Sequence, residues 1–360
     1  MGSSISSWIE LTASFHFSFQ IGTIRNMILG IETSCDETAV ALLEENGKAL
    51  VSLVSSQIDL HTRYGGVVPE LASRRHLEML VPLIEEAFGQ VDSGWIEVKA
   101  IAVTQGPGLV GALLVGLEFA KAVAIAYGLP LLGVNHLAGH VYATFLEFPQ
   151  KLPAIALIVS GGHTELVLLD ELERFHPLGT TRDDAAGETL DKIARFLGLP
   201  YPGGPEIQRL ALQGNPAFHR FPVGELDNPL DFSFSGLKTA VLYFAEAWRK
   251  DGRSLPLADL AASFQEAIVQ ALIRKTDRAI DQTGVRQLIV CGGVAANHRL
   301  RQRMQELADR RNVALQLPSP GLCTDNALMI ARAGLANLQK GRFLSLREDA
   351  DPNLSLFRSD

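Results

Sequence analysis

The chain has 360 residues, more than one ordinary hydrophobic core accommodates, so two lobes are expected. With 47 % hydrophobic residues it reads as a soluble α/β protein, and its three scattered cysteines (Cys35, Cys291, Cys323) exclude a disulfide framework and suit a reducing cytoplasm. A net charge of −8 excludes whole-molecule attraction to nucleic acid, so any RNA would be held by a local basic patch or a partner protein.

Residues 1–26 are rich in serine and aromatics, with Glu10 and Arg25 as their only charges. They lack the basic start and continuous apolar run of a secretory signal, and Met27 is the expected functional start, with 1–26 a dispensable extension. From there MILGIET, TAVALLE and ALVSLVSSQ read as strands joined by short polar turns. Pro69 opens the helical pattern ELASRRHLEMLVPLIEEAF, in which Pro82 should kink or split the helix. AIAVTQGPG reads as strand and turn, LVGALLVGLEFAKAVAIAYG as a helix and LPLLGV as a short strand. No apolar run reaches the roughly 20 uninterrupted residues of a spanning helix, so no membrane role is expected.

NHLAGHVYATF follows, with His136 and His140 one helical turn apart on one face. Two such imidazoles can converge on one metal ion, although a structural pair is the commoner meaning of HxxxH. The pattern then restarts with a strand over 154–160, a Gly161-Gly162 turn and a returning strand over 164–169. Ser34-Cys35-Asp36-Glu37-Thr38 and Ser160-Gly161-Gly162-His163-Thr164 share an SxxxT turn, and IAVTQGPG echoes LIVCGGVAAN. The repeat predicts a duplicated α/β domain, two lobes around a central cleft. The expected lobes are 27–150 and 151–324, with a helix over about 325–345 able to pack back on the first.

Glycine turns after buried strands expose backbone N–H groups that can cradle phosphate. Gly106-Pro107-Gly108, Gly161-Gly162, Gly203-Gly204 and Gly292-Gly293 are such turns, and together they argue for a phosphate-bearing ligand. No GxxxxGK[ST] loop or GxGxxG fingerprint is present. Carboxylates gather around these turns: Asp36 and Glu37, Asp183 and Asp184, then Glu188 and Asp191 in or near the first turn of a helix. Helix capping accounts for Glu188, whereas Asp191 could accept hydrogen bonds from a ligand. Asp325 reads as either an N-cap or a third metal ligand; a His₂–Asp set would leave open positions for substrate oxygen. Arg74-Arg75-His76, the Arg299, Arg301, Arg303 series and Arg310-Arg311 are the candidate basic patches, each more readily explained singly as a solvated helix face.

NHLAGHVYATF, LIVSGGHTEL, RDDAAGETLDKIARFLGLPYPGGP, DFSFSGLKTAV, CGGVAANHRLR, PSPGLCTDNALMIA and the opening MILGIETSCDETAVALL together resemble the tRNA N6-adenosine threonylcarbamoyltransferase family over 27–341. The resemblance implies a duplicated actin/Hsp70-like fold with RNase H-like lobes. It implies metal ligation by His136, His140 and Asp325, the metal being iron, with zinc as the alternative. It further implies that Ile158, Val159, Ser160, Gly161 and Gly162, with Asp191, Gly204 and Asn297, hold threonylcarbamoyl-AMP. Gln208 stands in a stretch where many members carry an acidic residue, which puts one ligand contact in doubt.

The implied reaction moves the threonylcarbamoyl group to the exocyclic amine of the adenosine 3′ of the tRNA anticodon, releasing AMP. Implied partners are tRNA, a paralogous actin-like subunit and a small ATPase subunit. Asp36 and Glu37 are the nearest candidates for a general base, and Arg74 and Arg75 for tRNA contact. A zincin peptidase would need HExxH, and Leu137 stands where that glutamate belongs. A sugar kinase or ATPase of the same superfamily is the serious competitor, but it leaves the histidine pair without a role. A non-catalytic scaffold would be expected to lose the metal set, and all three candidates are present.

Overall fold

The computed structural model describes residues 26–357, so the extension expected before Met27 lies outside the described residues apart from Asn26. The first half runs β1 (Met27–Glu32), β2 (Glu37–Glu44), β3 (Ala49–Ser56), α1 (Ile58–Thr62), α2 (Pro69–Val91), β4 (Val98–Gly106), α3 (Val110–Tyr127), β5 (Leu131–Asn135) and α4 (His136–Ala143). The second runs β6 (Ala154–Val159), β7 (Thr164–Leu169), β8 (Phe175–Thr180), α5 (Ala186–Phe196), α6 (Gly203–Ala211), α7 (Ser235–Lys250) and α8 (Leu257–Thr283). It continues through β9 (Gln287–Cys291), α9 (His298–Arg311), β10 (Ala314–Gln316), α10 (Pro320–Cys323) and α11 (Ala327–Gln339).

Two five-stranded sheets have orders β3-β2-β1-β4-β5 and β8-β7-β6-β9-β10, the same topology twice. In each, the first two pairings are antiparallel and the next two parallel. Strand periodicity explains the layering. Met27, Leu29 and Ile31 of β1 join a core with α2 and α3, while Ile28 faces α4 and α11. Likewise Ile155, Leu157 and Val159 of β6 face α5–α9, while Ala154, Ala156 and Ile158 face the same central layer. α4 and α11 are therefore held between the two sheets. A 3₁₀ turn, Gly293–Ala296, links β9 to α9.

Three local expectations are corrected. α2 is one continuous helix through Pro82. Pro82 lies on the exposed face, where the carbonyl it leaves unpaired meets water, while Leu80, Leu83, Ile84 and Phe88 anchor the opposite face. Asp191 is in the middle of α5, not its first turn, and Asn326 rather than Asp325 is the N-cap of α11, accepting from Met329 N at 3.0 Å. α3 is long and apolar enough to cross a membrane by length and composition, yet its Leu113, Leu117 and Ala120 are buried and it packs on β4 and α2.

α11 approaches β1 and β4 closely because glycines stand at the crossings. A Cβ on Gly30 would lie 2.4 Å from the Ala327 carbonyl oxygen, and one on Gly334 2.4 Å from Ala102 Cβ. Gly30→Ala should therefore push α11 off the sheet and cost about 1–3 kcal/mol in urea unfolding. An unchanged unfolding midpoint would contradict this close approach.

Candidate metal centre and donor cleft

Asn135 starts α4 as its N-cap, its side chain accepting from Leu137 N at 2.9 Å and Ala138 N at 3.2 Å. The next residue is His136, and His140 follows one turn later, so both imidazoles project from one helix face into the space between the lobes. Their ring centroids are 4.8 Å apart and nearly perpendicular. Asp325, on the link from α10 to α11, brings Oδ1 to 3.2 Å from His140 Nε2 and 3.5 Å from His136 Nε2. One donor atom from each residue lies within 4.8 Å of the others.

The donor chemistry suits a divalent cation. His140 is fully buried; its Nδ1 has no hydrogen-bond partner, and its Nε2 meets the Asp325 carboxylate at 3.2 Å. A buried imidazole so sparsely partnered is costly unless a cation takes a lone pair. His136 turns its other nitrogen away: Nδ1 lies 3.0 Å from Glu32 Oε2 and 3.1 Å from Ser34 Oγ. Glu32 is in turn fixed by Thr104 Oγ1, which donates to Oε2 at 2.8 Å, and by Ser34 N, which donates to Oε1 at 2.5 Å. This carboxylate–histidine arrangement sets the imidazole's orientation behind a metal position.

The fields agree with the geometry. Burial disfavours a charged His136, but the Asp325 and Glu32 carboxylates outweigh it and push its pKa up to about 9. Burial likewise opposes ionised Asp325, but the His136 charge and the His140 contact hold its carboxyl far below the usual range. His163, in the turn after β6, is pushed down to about 4 by burial and by the two imidazoles. Glu37 is pushed up to about 10 by burial and by the Asp325 and Asp36 charges.

Beside this cluster lies a cleft of about 210 Å³ lined by Gly161, Asp191, Gly204, Gln208, Asn297 and neighbours. Asp191 Oδ1 accepts from Gly203 N at 2.7 Å, so it caps α6 from below while lining the cleft. Burial raises its pKa, against the pull of the Gly203 and Gly204 N–H groups. Asn297 caps α9, accepting from Leu300 N at 3.0 Å, and Gln208 Oε1 accepts from His298 N at 2.7 Å. Ile158 and Val159 are fully buried, and Ile158 is paired on both sides within the sheet. Ser160 is buried, whereas Gly161 and Gly162 are exposed with open space around them.

Asp36 lies in the β1–β2 turn, and Glu37, the first residue of β2, feels the Asp325 charge. Arg74 and Arg75 lie on the exposed face of α2, paired at 2.7 Å with Glu70 and Glu78, and line none of these cavities. Sequence reasoning missed Glu32, Thr104, His163 and Tyr201. A lone acid in the apolar strand MILGIE was the available signal for Glu32, and the SxxxT repeat pointed at His163.

The paired sheets and the buried donor cluster between them define a two-lobed protein of the actin/Hsp70-like fold with a candidate metal centre. Solved structures agree on the fold. HypF from T. kodakarensis superposes with a TM-score of 0.61 at 15 % identity, covering 89 % of this chain and 49 % of that one. Component A of Acidaminococcus fermentans (R)-2-hydroxyglutaryl-CoA dehydratase gives 0.53 at 13 %, covering 87 % and 99 %. The chain belongs to the tRNA N6-adenosine threonylcarbamoyltransferase (TsaD) family, whose profile matches residues 48–332. Proteins of that name from Dictyoglomus turgidum and Desulfitobacterium hafniense are 50 % and 52 % identical to it. Each alignment covers 91 % of this chain, and 98 % and 97 % of the respective relative. The chain is thus an enzyme that transfers a threonylcarbamoyl group to adenosine N6 in tRNA.

Glu32→Gln keeps the shape but removes the charge behind His136, and should weaken metal binding about 10- to 100-fold in chelator competition. His140→Ala should abolish it while circular dichroism stays native. Undiminished metal content in both variants would show that the cluster is not the metal site.

Proposed function

We propose that the cleft binds threonylcarbamoyl-AMP and that AMP is the leaving group when adenosine N6 attacks the carbamoyl carbonyl. The observation carrying this reading is the convergence of His136, His140 and Asp325 beside the cleft of Gly161, Asp191, Gly204 and Asn297. A divalent ion held by those three donors, iron or alternatively zinc, would supply Lewis-acid polarisation of substrate oxygen.

The remaining work falls to the chain itself. The adenine amine is a poor nucleophile because its lone pair is delocalised, so positioning carries much of the rate, several kcal/mol for well-oriented reactants, on the order of 7–11 at best. Gly161 and Gly162 are exposed and a Cβ on either would meet open space, so phosphate or carbonyl oxygens can approach this turn's backbone. The strand-end backbone from Ile158 through Ser160 and the caps Asp191 and Asn297 hold these turns in place. Asp36, buried at the end of the β1–β2 turn, is the better candidate to receive the N6 proton, since Glu37 retains its own.

Partners follow the same reading: tRNA, a paralogous actin-like subunit and a small ATPase subunit, in the cytoplasm, where the three free cysteines stay reduced. The exposed groove of about 430 Å³ between α2 and α3, lined by Leu77, Val81, Leu114 and Phe119, fits the paralogous subunit. Leu114→Glu should abolish co-elution with that subunit without lowering the thermal midpoint; intact co-elution would exclude this face.

The deciding assay incubates the protein and its partner set with unmodified tRNA, ATP, threonine and bicarbonate, followed by mass spectrometry of the nucleosides. Threonylcarbamoyladenosine should form, and His136→Ala should lower its yield at least about 100-fold. Wild-type yield from the variant would sink the role of the cluster.

A further inference from the structure

The segment after α1 crosses from the first lobe to the second. The Thr62 hydroxyl, which donates to the Ile58 carbonyl at 2.8 Å, also approaches the Tyr201 carbonyl at 3.3 Å, and the Arg195 guanidinium donates to the Gly65 carbonyl. Gly65, Asp191, Arg195, Tyr201 and Gly203 line one small cavity, so this crossing forms a lip of the cleft that Asp191 also lines. Between the two anchored residues stand Arg63 and Tyr64. Tyr64 is 61 % exposed, although it is a large aromatic on a loop held at both ends. Among the described residues Arg63 has no carboxylate partner, in contrast to Arg74, Arg75 and Arg209, which pair with Glu70, Glu78 and Glu206. Arg195 is exposed beyond its bond to Gly65.

An aromatic face flanked by guanidinium groups that form no carboxylate salt bridge suits a single-stranded nucleotide: the ring stacks on a base and the cations meet phosphate. A target adenosine entering the cleft must bring its neighbours across such a lip. We propose that Tyr64 stacks on an unpaired base flanking the target adenosine, with Arg63 and Arg195 contacting the adjoining phosphates. The lip is thus a substrate-positioning element for the tRNA. An anionic protein surface is the competing occupant, but it would use the two cations and leave the exposed ring without a partner.

This rests on tRNA being the substrate, so wild-type formation of threonylcarbamoyladenosine is measured in the same assay to separate the two questions. The probe is an unmodified tRNA anticodon stem-loop, binding to the full-length protein with its partners by fluorescence anisotropy. Tyr64→Ala should weaken binding about 5- to 100-fold. It should raise the KM for tRNA and leave kcat and metal content near wild type, while Tyr64→Trp restores binding. Arg63→Ala should lower the slope of log affinity against log salt by about one. Unchanged affinity and KM in Tyr64→Ala would overturn the proposal. So would lost binding of a partner subunit with stem-loop affinity intact, which would mark the lip as a protein contact. Failure of Tyr64→Trp to rescue would refute stacking.

Discussion

The site depends on how closely α11 lies against the first sheet. Asp325 comes from nearly 190 residues after His136, and it meets the histidines only because α11 threads between the sheets. Gly30 and Gly334 permit that approach, since any side chain at either would occupy the space of the opposing element. Burial of α11 on β1, β2 and β4 then fixes the direction in which its first turn, and the residue before it, can point. The candidate metal donors are thus assembled by core packing, two from α4 and one from the short link that α11 anchors. Rigid elements hold a donor set more accurately than mobile segments do.

The duplication was legible because turn chemistry repeats. SCDET and SGGHT each close an antiparallel pair, and AIAVTQG and LIVC each form the parallel strand beside it. Apolar runs bounded by glycine also placed α3 within one residue at each end and β5 within two. Pro82 was misread because a proline rule concerns the local backbone alone; on an exposed helix face, tertiary anchoring on the opposite side outweighs one lost hydrogen bond. Asp325 was ambiguous in sequence because an acid before a helix serves equally as cap or ligand. Asn326 took the cap, which left the carboxylate free to turn toward His140.

Glu32 was hidden for a different reason. A side chain that acts through another residue carries no spacing rule, and its partner lies 104 positions away. Only the cost of burying an unpaired carboxylate in a strand of Met, Ile, Leu and Gly hints that something cationic or hydrogen-bonding must face it. Here that partner is His136, and Thr104 and Ser34 occupy the remaining lone pairs. The same logic separates Asp191 and Asn297 from purely structural caps. Each satisfies a helix N-terminus, yet each also lines the cleft, so one side chain both fixes the turn and edges the cavity.

Charge distribution explains why an acidic enzyme can act on a polyanion. Most arginines on the second lobe are spent internally: Arg299 and Arg303 on Glu266, Arg311 on Asp277 and Asp281, Arg274 and Arg278 on Glu225. Such pairs offer little net field at the distance of a phosphate backbone, and salt screens what remains within about 8–10 Å. Short-range contacts therefore matter more than the summed charge of this chain for holding a tRNA. That balance suits the chemistry. A weak nucleophile gains more from one adenine held accurately beside the donor than from tight, diffuse capture of the whole RNA, because only orientation realised at the reacting atoms lowers the barrier.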